Sequence, residues 1–281
     1  MGTLEMIHPT AIISPKAQLD STVEVLPFAV IDAHVTLGPR CRVGPHVYLT
    51  GHTTIGAQNH FHAGCVMGDA PQDLKYKGDP ARVIIGDRNV FREGVTVHGS
   101  AKPDEVTLIG SDNFLMVNSH VGHNACLGSH IIMANGAMLG GHTQVADRVF
   151  ISGNCVVHQF VRLGTLALMQ GSSAISQDLP PFTIARGPNG ICGLNVIGLR
   201  RAQFSAEERL QLKQLYHKLF LSGQNLSAAV AAARQEFTSA SAITMLDFIA
   251  ASRRGVCRHR GGDTDDSAID SAIPIGAKSE T

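Results

Sequence analysis

Apolar residues recur at every sixth position along most of this chain. Between positions 7 and 175 the series has 29 members, and 26 of them are apolar. Neither an α-helix nor a single β-strand has this period, since side chains on one face repeat every 3.6 residues in a helix and every 2 in a strand. A period of six indicates a short strand and a turn with one large inward side chain. We predict that three such repeats close one triangular coil and that the coils stack into a parallel β-helix.

Two segments keep the phase of this series but lose its apolar character. Residues 68–84 and 99–108 are predicted to be loops that project from the coils, where binding groups are often found. The six-residue pattern ends after Pro180-Pro181. We therefore predict a β-helix domain over residues 1–184 and a connector over 185–204.

The remaining chain has a helical pattern. Ser205 and Glu208 have the spacing of a capping box, which predicts that a helix begins at residue 205. The predicted ranges are helices at 205–221, 226–237 and 243–253, a helical domain at 205–254, and a polar, disordered tail at 255–281.

The composition excludes several classes of protein. Lys and Arg number 23 and Asp and Glu number 23, so bulk charge does not suggest a nucleic-acid partner. No window of about 18 uncharged apolar residues is present, so no membrane span is expected. The six cysteines form no CxxC pair, and the chain has no secretory signal pattern. These features predict a cytoplasmic protein whose thiols stay reduced.

The coil register brings distant histidines together. Three histidines each follow a member of the apolar series: His123 by two positions, His142 by three and His158 by one. The three series members are separated from one another by three repeats, or 18 residues. We expect the histidines along one edge of the prism on successive coils about 4.8 Å apart, with His120 near the preceding corner. The register alone allows three roles for these histidines: a surface cluster without function, a zinc site of three imidazoles, or a site in which one of them is a general base. No carboxylate lies within several residues of these histidines, which argues against zinc.

Six short motifs carry a family resemblance. They are Asn-Ser-His-Val-Gly-His (118–123), Gly-Gly-His (140–142), Val-His-Gln-Phe (157–160), Pro-Gln-Asp-Leu-Lys-Tyr (71–76), Gln-Asp-Leu-Pro-Pro (177–181) and Asn-Val-Ile-Gly-Leu-Arg-Arg (195–201). With these motifs the chain to about residue 254 resembles the bacterial UDP-N-acetylglucosamine acyltransferases, the hexapeptide-repeat enzymes that begin lipid A assembly. The resemblance implies a left-handed β-helix, a helical C-terminal domain and a homotrimer with sites between subunits.

The resemblance also implies a reaction. Members of the family transfer a fatty acyl group, usually 3-hydroxyacyl, from acyl carrier protein to the 3-hydroxyl of UDP-N-acetylglucosamine, with no cofactor or metal. By similarity His123 is the general base, and the backbone N–H of Gly141 stabilises the oxyanion. Direct attack on the thioester is implied, without an acyl-enzyme.

Further residues match binding positions of the family. Gln72 and Asp73 match donor-contacting residues that reach the cleft of a neighbouring subunit, and Lys75 is expected to meet the acidic carrier protein. The other matches are His120, Asn124, His142, His158 and Gln159 for sugar and acyl groups, Asn195 and Arg201 for the nucleotide, and Gly171 with Met169 for acyl length. Since Gly171 has no side chain, we expect a longer acyl group than a Met there would allow.

Three positions depart from the family pattern. Asn124 stands where the family often has an aspartate beside the base, so it can orient the imidazole but brings no negative charge. Ile197 replaces a glutamate that usually contacts the nucleotide, and Ala202 replaces the second arginine of a pair. The nucleotide contacts are therefore expected to differ from those of the family.

Four other functions share features with this sequence. The related N-acyltransferase carries a domain before its repeats, whereas the repeats here begin at Ile7. An acetyl-CoA-dependent acetyltransferase would use the same fold with another donor. A trimeric zinc hydratase would use the histidines as ligands, and a non-catalytic scaffold would not use them.

Overall fold

The fold is a triangular prism of short parallel strands followed by a helical domain. A computed structural model describes residues 6–260. The strands of the prism are β1 (Ile12–Ile13), β2 (Gln18–Leu19), β3 (Glu24–Val25), β4 (Val30–Ile31), β5 (Val35–Leu37), β6 (Arg42–Val43), β7 (Tyr48–Leu49), β8 (His52–Ile55), β9 (His60–Phe61), β10 (Val66–Asp69), β11 (Arg82–Ile85), β12 (Val90–Phe91), β13 (Thr96–His98), β14 (Thr107–Ile109), β15 (Phe114–Leu115), β16 (His120–Val121), β17 (Cys126–Leu127), β18 (Ile132–Met133), β19 (Met138–Leu139), β20 (Gln144–Val145), β21 (Phe150–Ile151), β22 (Val156–Val157), β23 (Arg162–Leu163), β24 (Leu168–Met169), β25 (Ala174–Ile175) and β26 (Thr183–Ala185).

Every third strand belongs to the same sheet, which gives the prism three faces. Sheet 1 contains nine strands from β1 to β25, sheet 2 contains eight from β2 to β23, and sheet 3 begins at β3 and continues through β24 to β26. The architecture is a left-handed parallel β-helix, as expected. Residues that pair in successive strands are separated by three repeats, as Val121 is from Leu139 and Leu139 from Val157.

The six-residue series forms the inner column of the prism. Its apolar members are buried from Val25 to Ile175, while Ile7, Ile13 and Leu19 are partly exposed at the open first coils. The chain turns at many corners through a residue with positive φ, and asparagine tolerates this conformation better than most residues. The periodic pattern therefore predicted both the coil length and the inward side chains correctly.

Two insertions increase the number of residues between paired strands, at the two places where the sequence pattern is lost. The pairing of Thr53 with Val83 spans five repeats instead of three, and the pairing of Val83 with Thr107 spans four. Residues 70–81 and 99–106 leave the prism as loops, so both predicted loops are present but shorter than the predicted ranges.

The segment predicted to be a connector, residues 185–204, contains regular structure of its own. It contains β27 (Gly190–Leu194), which pairs antiparallel with β26, and α1 (Val196–Arg201). Residues 255–260, predicted to belong to the tail, include β28 (Arg258–His259), which pairs with β27. The pairing of β27 with β26 is local, since only residues 186–189 separate the two strands. The prediction that residues 255–260 belong to a disordered tail was wrong, because β28 pairs with a strand more than 60 residues earlier and this pairing has no local sequence signal. Residues 261–281 of the predicted tail lie outside the described residues.

Three helices complete the C-terminal domain: α2 (Ala206–Phe220), α3 (Leu226–Glu236) and α4 (Ala240–Ala250). The capping box of Ser205 and Glu208 is confirmed, because each side chain accepts from the backbone N–H of the other. Arg162 of the prism forms an ion pair with Asp178 at 2.8 Å and also holds the helical domain, because its guanidinium donates to the Phe248 carbonyl at 2.9 Å. The Arg162 guanidinium also lies over the Phe248 ring of α4. Within residues 6–260, no helix is long and apolar enough to cross a lipid bilayer.

Candidate active site

The turns that lead from sheet 1 to sheet 2 bring the predicted histidines together. We call the turns at 122–125, 140–143 and 158–161 the histidine corner. They follow β16, β19 and β22, which are consecutive in sheet 1. The prediction that these residues share one edge of the prism is confirmed.

His123 lies in the first turn of this corner and is half-buried. A Cβ atom on Gly141 would lie 2.6 Å from His123 Nε2, so the imidazole rests directly against the glycine backbone. The ring meets that of His142 edge-on, with centroids 5.1 Å apart. Among the described residues, the Gly141 N–H donates no hydrogen bond. A basic nitrogen and a free backbone N–H thus lie side by side.

The Nδ1 side of the His123 ring is held by Asn124. His123 Nδ1 lies 2.8 Å from Asn124 Oδ1. The Asn124 amide in turn donates to Glu105 Oε2 at 2.6 Å, and Lys102 Nζ donates to Glu105 Oε1 at 2.9 Å. Glu105 was not predicted as part of the site, because it belongs to the inserted loop between β13 and β14, where the register of three repeats does not hold.

Two further histidines lie deeper in the site. His120 Nδ1 is 2.8 Å from Thr96 Oγ1, and its ring meets that of His98 edge-on at 5.0 Å. Burial, together with the nearby His98 and His123, lowers the pKa of His120 to about 4. Burial also lowers the pKa of His98, whose Nδ1 has no hydrogen-bond partner within the described chain. Both rings therefore remain neutral near pH 7. His98 was not predicted to lie in the site, because an insertion makes its coil longer than the three repeats that the prediction assumed.

The outer residues of the corner form its rim. The His142 ring stacks on Phe160, one coil further, with centroids 4.6 Å apart. Burial and the neighbouring His123 lower the pKa of His142, while the Glu105 and Asp73 carboxylates act in the opposite direction. His158 and Gln159 are exposed on the last coil of the corner.

The first projecting loop carries the predicted donor-binding residues. Gln72 and Lys75 are exposed, and Asp73 is half-buried and accepts a hydrogen bond from the Lys75 backbone N–H at 2.9 Å. Leu74 between them is fully exposed. This loop therefore presents polar side chains and one apolar side chain to its surroundings.

The remaining predicted residues lie in a second region. A cavity of about 1080 Å³ lies between the outer surface of sheet 3 and the helical domain. Asn195, Arg201 and Gly171 line it, and none of the histidine-corner residues does. The side chain of Asn195 caps α1 through Gly198 N–H and also donates to Leu166 O, so most of its bonding capacity is used within the chain. The two predicted parts of the site are thus on different faces of the prism.

The two residues predicted to set acyl length differ in position. Gly171 is open to the cavity, because a Cβ there would meet only Gly153 O at 3.7 Å. Met169 belongs to the inner column and is 0% exposed. Its side chain faces the interior of the prism, so the prediction that it contacts the acyl chain was wrong. Residue 169 is a member of the six-residue series, which already assigned it to the core.

A metal site was among the alternatives for the histidines. Within the part of the chain that the structure describes, no three His, Cys, Asp or Glu side chains converge closely enough to hold a metal ion. The His123 and His142 rings meet edge to face, and His158 is turned to its neighbour's carbonyl, Gln159 O, at 3.1 Å.

Comparisons with known proteins agree on one family. A family model described as UDP-N-acetylglucosamine O-acyltransferase, domain 2, matches residues 178–257. The acyl-(acyl-carrier-protein)–UDP-N-acetylglucosamine O-acyltransferase of Janthinobacterium sp. (strain Marseille) is 44% identical over 262 residues, covering 91% of this chain and 100% of that protein. Among solved structures, the UDP-N-acetylglucosamine acyltransferase from Bacteroides fragilis superposes with a TM-score of 0.87 at 35% identity, over 90% of this chain and all of that one. The enzyme from Campylobacter jejuni gives 0.84 at 33% identity with the same coverage.

Proposed function

The chain belongs to the family of acyl-(acyl-carrier-protein)–UDP-N-acetylglucosamine O-acyltransferases and is an enzyme of that class, and we propose that His123 is its general base. The reaction is transfer of a fatty acyl group from acyl carrier protein to the 3-hydroxyl of UDP-N-acetylglucosamine, the step that begins lipid A biosynthesis. The observation that carries the proposal is the contact between His123 Nε2 and the backbone of Gly141. We further propose a 3-hydroxyacyl donor.

The geometry supports direct attack without a covalent intermediate on the protein. The sugar 3-hydroxyl oxygen attacks the thioester carbonyl carbon while His123 Nε2 takes the hydroxyl proton. The Gly141 N–H is available to stabilise the oxyanion that forms, since no group in the described chain accepts from it. Collapse of the intermediate expels the thiolate, which takes the proton back from the imidazolium. A base placed in this way contributes roughly 10²–10⁴-fold to the rate.

The neutral histidines suit a positioning role. His120 stays uncharged near pH 7 and donates or accepts without competing for the substrate proton. His142, His158 and Gln159 extend along the rim, where an acyl or sugar group would lie. Asn124 fixes the ring of the base through Nδ1.

We propose that a neighbouring copy completes the site in a homotrimer. The histidine corner and the cavity that contains Gly171 and Arg201 lie on different faces of one chain. A nucleotide held by Arg201 therefore requires the cavity of one subunit to face the histidine corner of another. Gln72, Asp73 and Lys75 are exposed or half-buried on a projecting loop, as donor contacts across such an interface would be.

A donor comparison tests the proposed reaction. Purified protein is incubated with UDP-N-acetylglucosamine and with acyl carrier protein thioesters of several lengths, with and without a 3-hydroxyl, and in parallel with acetyl-CoA. We expect turnover only with the carrier protein thioesters and a preference for 3-hydroxyacyl donors. Turnover with acetyl-CoA alone would reject the donor assignment.

The second experiment concerns acyl length and Gly171. Gly171→Met should shift the preferred acyl chain to a length shorter by several carbons, because the new side chain enters the cavity. The Cβ atom has room at this position, so the substitution should not unfold the protein. The chain-length profile of kcat/KM measures the shift. An unchanged profile would remove Gly171 from the acyl site.

A further inference from the structure

A chain of hydrogen bonds extends from the base to a carboxylate. It runs from His123 Nδ1 to Asn124 Oδ1, from Asn124 Nδ2 to Glu105 Oε2, and from Lys102 Nζ to Glu105 Oε1, with distances of 2.8, 2.6 and 2.9 Å. The backbone N–H of Asn124 is held as well, because it donates to Thr107 Oγ1 at 2.7 Å. The amide that contacts the base is therefore fixed in place from several sides.

The orientation of the Asn124 amide is determined by its neighbours. Its Oδ1 also accepts from the Ala101 backbone N–H at 3.0 Å, which only an oxygen can do. Its Nδ2 faces the Glu105 carboxylate, which only accepts. Because Oδ1 is an acceptor, His123 Nδ1 must carry the proton. The opposite nitrogen, Nε2, is then free to take a proton beside Gly141.

We propose that Glu105 is a positioning residue for the base, supplying through the Asn124 amide the negative charge that Asn124 itself lacks. The inference rests on the proposed function, in which His123 becomes an imidazolium during the reaction. A carboxylate bound to the amide N–H polarises the amide and strengthens the hydrogen bond that its oxygen accepts from Nδ1–H. No proton moves along this chain, since an amide is neither an acid nor a base near pH 7.

Other charges near the base do not cancel this effect. Lys102 is bound to Glu105, but its side chain is 66% exposed against 31% for Glu105, so solvent screens the ammonium more strongly. His98, His120 and His142 surround His123 and have lowered pKa values, so they are neutral near pH 7. The Asp73 carboxylate is the remaining charge that acts on the neighbouring His142, and it has the same sign as Glu105.

The first test removes only the charge. In Glu105→Gln the new side-chain oxygen still accepts from Asn124, but the imidazolium loses its stabilisation. We expect kcat to fall about three- to tenfold with KM for UDP-N-acetylglucosamine unchanged. The acid limb of the pH profile of kcat/KM should move about half to one pH unit lower, since a tenfold effect equals one pKa unit. Asp104→Asn is the matched control, because it removes an exposed carboxylate from the same loop and should change neither quantity.

The second test moves the charge. Asn124→Asp places two carboxylates against each other where an amide now donates at 2.6 Å, so activity should fall. The double variant Asn124→Asp, Glu105→Gln restores one donor and one charge, and it should recover to within about threefold of wild type. Both single variants should keep the wild-type melting temperature to within a few degrees. A Glu105→Gln enzyme with unchanged kcat and pH profile, or a double variant no better than the singles, would overturn the proposal.

These outcomes are separable from failure of the proposed function. If His123→Ala kept near-normal turnover, the base assignment would fall whatever Glu105 does. If His123→Ala were inactive while Glu105→Gln behaved as wild type, only the role of Glu105 would be refuted.

Discussion

At the scale of single residues, the site depends on how closely backbone and ring approach each other. The His123 imidazole occupies the space in which a side chain at position 141 would begin. Register arithmetic predicted that His123 and His142 are neighbours, and their 5.1 Å centroid distance confirms it. The same arithmetic failed for His98, because an insertion lengthens that coil from three repeats to four. A fixed period predicts contacts only between coils without insertions.

Gly141→Ala tests this close approach. The added methyl would lie 2.6–3.0 Å from three atoms of the His123 ring, so the ring must move away from the backbone N–H. We expect at least about a tenfold loss of kcat, because a displacement of about 1 Å from the reacting atoms is costly in catalysis. Gly153→Ala is the control, since its Cβ would meet only Asn135 O at 3.4 Å. Equal activity of the two variants would show that the base is not confined by Gly141.

At the scale of strands and turns, an internal row of asparagines joins successive coils. Asn59, Asn89 and Asn113 are buried at inner positions where the sequence pattern usually has a small residue. The backbone N–H of Asn89 donates to Asn59 Oδ1 at 2.9 Å, and that of Asn113 donates to Asn89 Oδ1 at 2.9 Å. The six-residue pattern could not predict this row, because the hydrogen bonds join residues in coils that the insertions have lengthened.

Asn89→Ala should destabilise the prism. The substitution leaves the Asn113 N–H and the Gly110 carbonyl, which now bond to the Asn89 side chain, without partners in a buried layer. Each such group costs about 1–3 kcal/mol, so the free energy of unfolding should fall by about 2–6 kcal/mol. Chemical denaturation measures the change, with Gln18→Ala on an exposed outer position as the control. A loss no larger than that of the control would contradict a structural role for the row.

At the scale of the whole molecule, prediction from the sequence was reliable where structure is repetitive and local. The coil length, the loops and the helices of the C-terminal domain follow from periodicity and capping. By contrast, β28 forms only because it pairs with the distant β27, and α4 begins at Ala240 rather than at the predicted residue 243. The carboxylate of Glu105 was missed for a related reason, since it comes from a loop that returns to the histidine corner.

The molecule as a whole separates a reactive corner from a cavity lined by Gly171 and Arg201. Arg162 and Asp178 hold the helical domain against the prism, and Asp178 is also bonded by the Ser252 hydroxyl at 2.8 Å. In the proposed homotrimer, the histidine corner of one subunit would carry the chemistry and the cavity of a neighbouring copy would bind the nucleotide.

The rate of His123→Ala with UDP-N-acetylglucosamine and a 3-hydroxyacyl carrier protein tests the central claim most directly. We expect kcat/KM to fall by at least about a hundredfold, because the reaction loses its general base. Light scattering should show the same assembled mass as wild type, which separates loss of chemistry from loss of assembly. Turnover within about threefold of wild type would contradict the assignment of His123 as the base.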